Sequence, residues 1–165
     1  MTYVDDLLIA APEPLMLAVQ NKIQSTWTTS VPEPVSNTPV RFLGMVISKL
    51  CWAETKRDVS MLTQQSYTLD LVQKENEHVK PKKIPLSRDL SAMELKEESP
   101  SIEKVRSAQK AVGEALWLTT RARPDIMHVV SRMVSAVTRA PEAVMLASTQ
   151  LKGYLSTTSA EGLRF

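Results

Sequence analysis

One cysteine, Cys51, and two histidines, His78 and His128, are all that this sequence has of those two residue types. No internal disulfide can form, a Cys/His zinc cage lacks its ligands, and a reducing compartment is the expected setting. Glycine is equally scarce. Gly44, Gly113, Gly153 and Gly162 stand far apart, so no glycine-rich loop can cradle a nucleotide's phosphates and P-loop chemistry is excluded. A Gly-x-Ser-x-Gly elbow and a Cys–His nucleophile pair are missing too, which removes the common acyl-transfer designs. No apolar run is long enough to cross a bilayer, and the N-terminus carries Asp5 and Asp6 where a signal peptide would carry basic residues. The expectation is an intracellular, soluble protein, in cytoplasm or nucleus, with no membrane partner.

What is present suits a folded chain. Across 165 residues, 43% are hydrophobic and 23% charged, close to globular averages. The net charge is only +2, acidic toward the front and mildly basic behind residue 103. A basic C-terminal block can follow a phosphate backbone, although a solvated helical surface explains the same scatter.

The opening MTYVDDLLIA reads as a β-hairpin with Asp5 and Asp6 at its tip and a second strand from Leu7 to Ala10. Pro12 and Pro14 open a helix whose stripe Leu15, Val19, Ile23 and Trp27 should face a sheet. The breaker-rich stretch Ser30 to Pro39 is a loop, Val40 to Ser48 is strand-like, and Cys51 to Thr55 pairs with Val59 to Leu62 around a polar turn at Lys56, Arg57 and Asp58. Gln64 to Glu77 has helical spacing, with Tyr67, Leu71 and Val72 on one face. Lys80 to Pro100 is a polar, proline-punctuated connector.

Three helices follow. The first runs from Ile102 to Thr119, with Val105, Ala108, Val112, Ala115 and Leu116 as its apolar face. Pro124 and Pro141 open the other two, lined by Ile126, Val130, Met133 and Val137, and by Val144, Ala147, Leu151 and Leu155. Gly162 to Phe165 can start a strand. The expected fold is α+β: a few antiparallel strands and one helix over residues 1–63, a helix over 64–79, a polar linker over 80–101, and a mainly helical part over 102–165.

Adjacent carboxylates at a hairpin tip raise each other's pKa unless water or a cation neutralises them. A divalent ion is one resolution, since magnesium prefers carboxylate and phosphate oxygens; a polar turn using aspartate's local hydrogen bonds is the other. From the tetrapeptide alone both readings stand.

The order of further short strings adds a resemblance. Tyr3-Val4-Asp5-Asp6 resembles the catalytic tetrapeptide of reverse transcriptases, Phe42-Leu43-Gly44 their primer-grip strand, and Gln64-x-x-Tyr67 the start of the thumb helix in copia-type retrotransposons. Pro85-Leu86, Val112-Gly113 with Leu116 and Leu118, Arg123-Pro124-Asp125-Ile126, and Leu151-Lys152-Gly153-Tyr154-Leu155 through Thr158, Gly162-Leu163 and Phe165 follow in the same order. The whole is similar to the truncated palm, thumb and connection of a copia-type reverse transcriptase, part of a Pol polyprotein.

That resemblance implies RNA-directed DNA polymerisation by two magnesium ions, with Asp5 and Asp6 as catalytic metal ligands, an RNA or DNA template-primer and nucleotides as partners, and nucleic-acid contacts from Tyr3, Phe42, Leu43, Gly44 and Gln64. It also implies that the metal site is incomplete: the family's earlier palm aspartate and its fingers have no counterpart in these residues, so this chain alone is expected to be inactive. The alternative is a non-catalytic retroelement remnant that binds nucleic acid or has no activity. Exposed palm surface is a route to self-association.

Each site residue also has a plainer reading. Tyr3 can pack on the palm, Phe42 to Gly44 can be a core strand with a glycine bulge, and Tyr67 is better explained by helix packing. Arg123 with Asp125 reads as helix capping and a local ion pair. Three positions depart from the family: Ala122 stands where threonine is usual, Val144 where histidine is frequent, and Gly153 where arginine is common. Gly153 should cost its helix about 1 kcal/mol relative to alanine and remove a basic contact.

Overall fold

The computed structural model describes residues 2–3, 6–35, 38–52, 57–73, 79–87 and 100–165. The fold is α+β, with five helices and a four-stranded antiparallel sheet among the described residues.

Strands β1 (Thr2–Tyr3) and β2 (Asp6–Leu7) pair antiparallel as a small hairpin. Helix α1 (Glu13–Thr26) follows, with proline in its first turn and Glu13 complementing the N-terminal dipole. Its predicted stripe is not covered: Leu15 is 57% exposed and Trp27 66%, and α1 buries no residue among those described. The expectation that this stripe faces a sheet is therefore corrected. Periodicity shows that side chains share a face, but only a partner surface buries them.

The sheet runs β3–β4–β5–β6. The span expected to form one strand from Val40 to Ser48 is two, β3 (Val40–Phe42) and β4 (Met45–Trp52), which turn back on each other at Leu43 and Gly44. Strand β5 (Arg57–Thr63) pairs along β4, from Val46 opposite Thr63 to Trp52 opposite Arg57. Arg57 and Asp58, expected in a turn, thus belong to a strand; residues 53–56 lie outside the described ones. Phe42, Met45 and Ile47 form a small core beneath this sheet, packed by Leu8, Val35, Leu43 and Leu62.

Helix α2 (Gln65–Gln73) leaves β5 and buries Leu71, with Tyr67 and Val72 packed beside it. The Tyr67 hydroxyl donates to the Glu114 carbonyl at 3.3 Å. Burial, and next the charge of Glu114, raise the Tyr67 pKa, so it stays a donor at neutral pH.

Helix α3 (Ile102–Thr119) starts where the Ser101 hydroxyl accepts from the Lys104 N–H, a cap typically worth about 1 kcal/mol. A 3-10 turn (Pro124–Ile126) leads into α4 (Met127–Ala136), and Pro141 opens α5 (Pro141–Thr157). The predicted faces of α4 and α5 meet α3 in the main core, around Ala108, Val112, Leu118, Ile126, Val130, Val144, Leu151 and Leu155. Each large aliphatic side chain buried there contributes roughly 1.5–3 kcal/mol. On α3 the expectation shifts by a fraction of a turn: Leu116 is exposed and Leu118 is fully buried.

Strand β6 (Leu163–Arg164) then returns to the sheet, antiparallel to β5, with Leu163 opposite Leu62. Ser60 and Phe165 exchange both backbone hydrogen bonds. Residues 80–86 do not hang free either: the Lys82 N–H donates to the Gly153 carbonyl, and Leu86 packs against the main core.

Candidate metal and nucleic-acid site

Tyr3 pairs with Asp6 and Thr2 with Leu7, so the strands are already matched on either side of positions 4 and 5. Asp6, expected at the tip, is instead the first residue of β2, and the strand does not extend to Ala10. A hairpin with a two-residue connection pairs the residues flanking that connection, which is why Asp6 enters the ladder. Asp5 and the side chain of Tyr3 lie outside the described residues. Asp6 is exposed. Just beyond it, Leu8 packs on the Phe42, Met45 and Ile47 core, which ties the acidic hairpin to the β3–β4 hairpin.

Among the described residues no group of three or more His, Cys, Asp or Glu side chains could hold a metal ion. The Asp5–Asp6 pair has the right donor chemistry for magnesium, which takes one or two carboxylates together with substrate phosphates. Two carboxylates alone do not complete a two-ion site.

At the β3–β4 turn, Leu43 has φ +52° and Gly44 φ +74°, the left-handed pair that a tight type I′ hairpin requires. Glycine accepts this freely, whereas a bulky residue does so at a cost of order 1–3 kcal/mol. Leu43 is held there by packing against the small core. Phe42 is 6% exposed and belongs to that core. Its side chain points inward, as the core-strand reading expects, so any nucleic-acid contact here belongs to the backbone of the turn, where Leu43 is half-buried and Gly44 exposed.

Gln64 is also turned inward. At 2% exposure it is buried, and neither polar atom of its carboxamide has a hydrogen-bond partner among the described residues. The main chain turns into α2 there, and the Gln64 carbonyl accepts from both the N–H and the hydroxyl of Thr68.

The best-defined polar constellation centres on Arg123, which is 1% exposed. Its Nε and Nη2 donate to the two oxygens of Asp125 at 2.9 and 2.8 Å. Nη1 donates to the Thr158 carbonyl at 2.8 Å, and Nη2 also reaches the Thr158 hydroxyl at 2.9 Å. The Tyr154 hydroxyl donates to Asp125 at 3.1 Å, and its ring faces the guanidinium. Burial pushes the Asp125 carboxyl up, but Arg123 and Tyr154 outweigh it and hold its pKa below the usual value. Burial lowers the Arg123 pKa, and Asp125 more than restores it. The pairing of Arg123 with Asp125 is the local ion pair read from the sequence, and the two bonds to Thr158 extend it to the end of α5, so the group clamps helices together. His128 belongs to no group of three or more such ligands among the described residues, and His78 lies outside them.

No model of a protein family matches the chain, and no solved structure does. A putative transposon Ty5-1 protein of Saccharomyces cerevisiae is 27% identical over 164 residues, which is 99% of this chain and 50% of that protein. The similarity suggests a retrotransposon origin. The chain spans half the length of this curated relative.

The aligned span takes in the acidic hairpin, the Leu43–Gly44 turn and the Arg123 clamp together. Sequence reading missed two features within it. Nothing in the spacing shows that Thr158 closes on Arg123, although the two strings that carry them were both singled out. The lysines of residues 80–83 were read only as part of a polar connector, though three lysines among four residues were a visible signal. No helix among the described residues is long and apolar enough to cross a membrane.

Proposed function

We propose that this chain is the palm-to-connection portion of a copia-type retrotransposon reverse transcriptase, an RNA-directed DNA polymerase. The observation that carries the reading is end-to-end similarity to a transposon protein in a chain whose acidic tetrapeptide spans a paired hairpin, Tyr3 opposite Asp6. Asp5 and Asp6 would hold magnesium, and when bound those ions would supply charge stabilisation for nucleotidyl transfer. The chain's own contribution is to present the pair on a short hairpin braced through Leu8 against the β3–β4 hairpin. Template-primer and nucleotides are the partners in this reading.

Because the palm aspartate and fingers that the resemblance calls for have no counterpart in the sequence, these 165 residues alone are expected to be inactive. Purified protein given a primed RNA template, nucleotides and magnesium should not extend the primer. Robust extension that disappears in Asp5→Ala would overturn that expectation. The second reading is a non-catalytic retroelement remnant that binds nucleic acid or has no activity. Restored extension in trans by the other half of a transposon protein, lost in Asp6→Asn, separates the first reading from the second.

The exposed stripe of α1, with Leu15 and Trp27 in the open, supports self-association of the isolated chain. Sedimentation should show mass rising with concentration, and Leu15→Glu with Trp27→Glu should abolish the rise. A wild-type chain that stays monomeric at high concentration would remove this part of the proposal.

A further inference from the structure

Lys80, Lys82 and Lys83 are exposed, and the main chain that carries them is fixed along α5. The Lys82 N–H donates to the Gly153 carbonyl at 3.0 Å, the Thr157 hydroxyl donates to the Lys82 carbonyl at 3.2 Å, and the Gln150 amide donates to the Ile84 carbonyl at 3.5 Å. Gly153 makes this approach feasible. A β-carbon there would stand 2.5 Å from the Lys80 carbonyl oxygen and 2.8 Å from Lys82 Cγ, so the glycine seats a strap on the helix. At the other end Leu86 packs into the main core and lines a hollow with Arg132 and Arg139.

Among the described residues none of the three ammonium groups has an ion pair, whereas Lys104 pairs with Glu142 and Arg164 with Glu161. Like charges on a fixed backbone repel and do nothing for stability. They do lower the ordering cost of meeting a polyanion. From Lys80 to Lys83 an extended chain reaches roughly 10 Å, comparable to about three nucleotides of one strand at ~3.4 Å of axis each. A membrane surface would call for a broad apolar face beside the charges, and among the described residues 79–87 the exposed large apolar side chain is Ile84.

We infer that the strap of Lys80, Lys82 and Lys83 is a phosphate-contacting rail for nucleic acid, a surface that deepens, and rests on, the nucleic-acid reading above. The rail binds backbone and not bases, so it is indifferent to sequence.

The test is fluorescence anisotropy with a labelled RNA–DNA hybrid, titrated over salt, on the whole chain. Lys80→Gln, Lys82→Gln and Lys83→Gln combined should weaken binding about a hundredfold near 0.1 M salt and reduce the log–log salt slope by about 2 to 3. Lys22→Gln with Lys110→Gln, charges removed elsewhere, should change affinity less than about threefold. Gly153→Ala keeps every charge and should still weaken binding about tenfold by lifting the strap, with an unchanged circular dichroism spectrum. Should that variant fail to fold, the triple glutamine variant decides alone.

Equal binding by the triple variant would overturn the rail and leave the nucleic-acid reading standing. An equal loss in the Lys22 and Lys110 control would overturn it too, leaving only net charge. If wild type binds phosphatidylserine vesicles and no hybrid, the partner is a membrane and both ideas fall; if it binds neither, both fall as well.

Discussion

Arg123→Met is expected to destabilise the chain by about 3 kcal/mol, seen as a lower urea midpoint at unchanged m-value. Methionine keeps much of the stem's volume, so the loss reports on the guanidinium and not on a cavity. What disappears is the fork to Asp125 and the two bonds to Thr158, which leaves the end of α5 without its donors. Asp125 is partly exposed and can turn to water, so the figure stays at the lower end of the range for breaking a buried pair. Arg123→Lys should recover little, because an ammonium cannot make the two-pronged contact.

The pH dependence of that gap has a definite sign. The Asp125 pKa is lower in the folded chain than in the unfolded one, where a carboxylate titrates near about 3.9. Its contribution is therefore complete above roughly pH 4 and is lost as pH falls through the lower folded value. The difference between wild type and Arg123→Met should be flat from neutral pH down to about 5 and should narrow below about 4. A gap that widens in acid would show that the clamp is not what the mutation removes.

Gly162→Ala is expected to cost about 3 kcal/mol or more, while Gly113→Ala should stabilise by roughly 0.5–1 kcal/mol. The same added methyl group meets opposite surroundings. At Gly162 a β-carbon would fall 2.0 Å from the Leu62 carbonyl oxygen and 2.9 Å from Thr63 Cγ2, so backbone must move and β6 must leave β5. At Gly113 nothing lies within 4 Å, the residue sits inside α3, and the methyl only removes unfolded-state freedom. Thermal melts of the two variants should move in opposite directions. Parallel shifts would refute the packing of Gly162 against β5.

Where side chains repeat with helical spacing and a core partner exists, the sequence was legible. Val144, Ala147, Leu151 and Leu155 are all buried as read, and α3 spans the residues expected of it. The stripe on α1 was read with equal clarity and has no cover, because a periodicity states what wants burial and not what is available to bury it. That the chain reverses at Leu43 and Gly44 and splits the expected strand in two was not legible, since leucine rarely takes positive φ; Leu43 packs there against Phe42, Met45 and Ile47. Gly153 looked like decay of an ancestral arginine position. Its reason is three-dimensional: the chain at Lys80 and Lys82 crosses the helix at that point.

Of the site, the acidic pair and the Arg123–Asp125 pairing were readable as local strings. Phe42 was read as a core-strand residue and is one, but the burial of Gln64 was not legible, because a motif names a residue without saying which side of the surface it occupies. The unpaired carboxamide of Gln64 has no physical account in the contacts seen.

The antiparallel match of Leu62 with Leu163 also dictates an order of events during synthesis. Everything from α2 to α5 must leave the ribosome before the fourth strand can dock, so the hairpin of β4 and β5 waits with one edge bare while the helices assemble. Such long-range closure is slow, and the bare edge invites pairing with a neighbouring nascent chain. Crowded polysomes are therefore where this protein is most vulnerable.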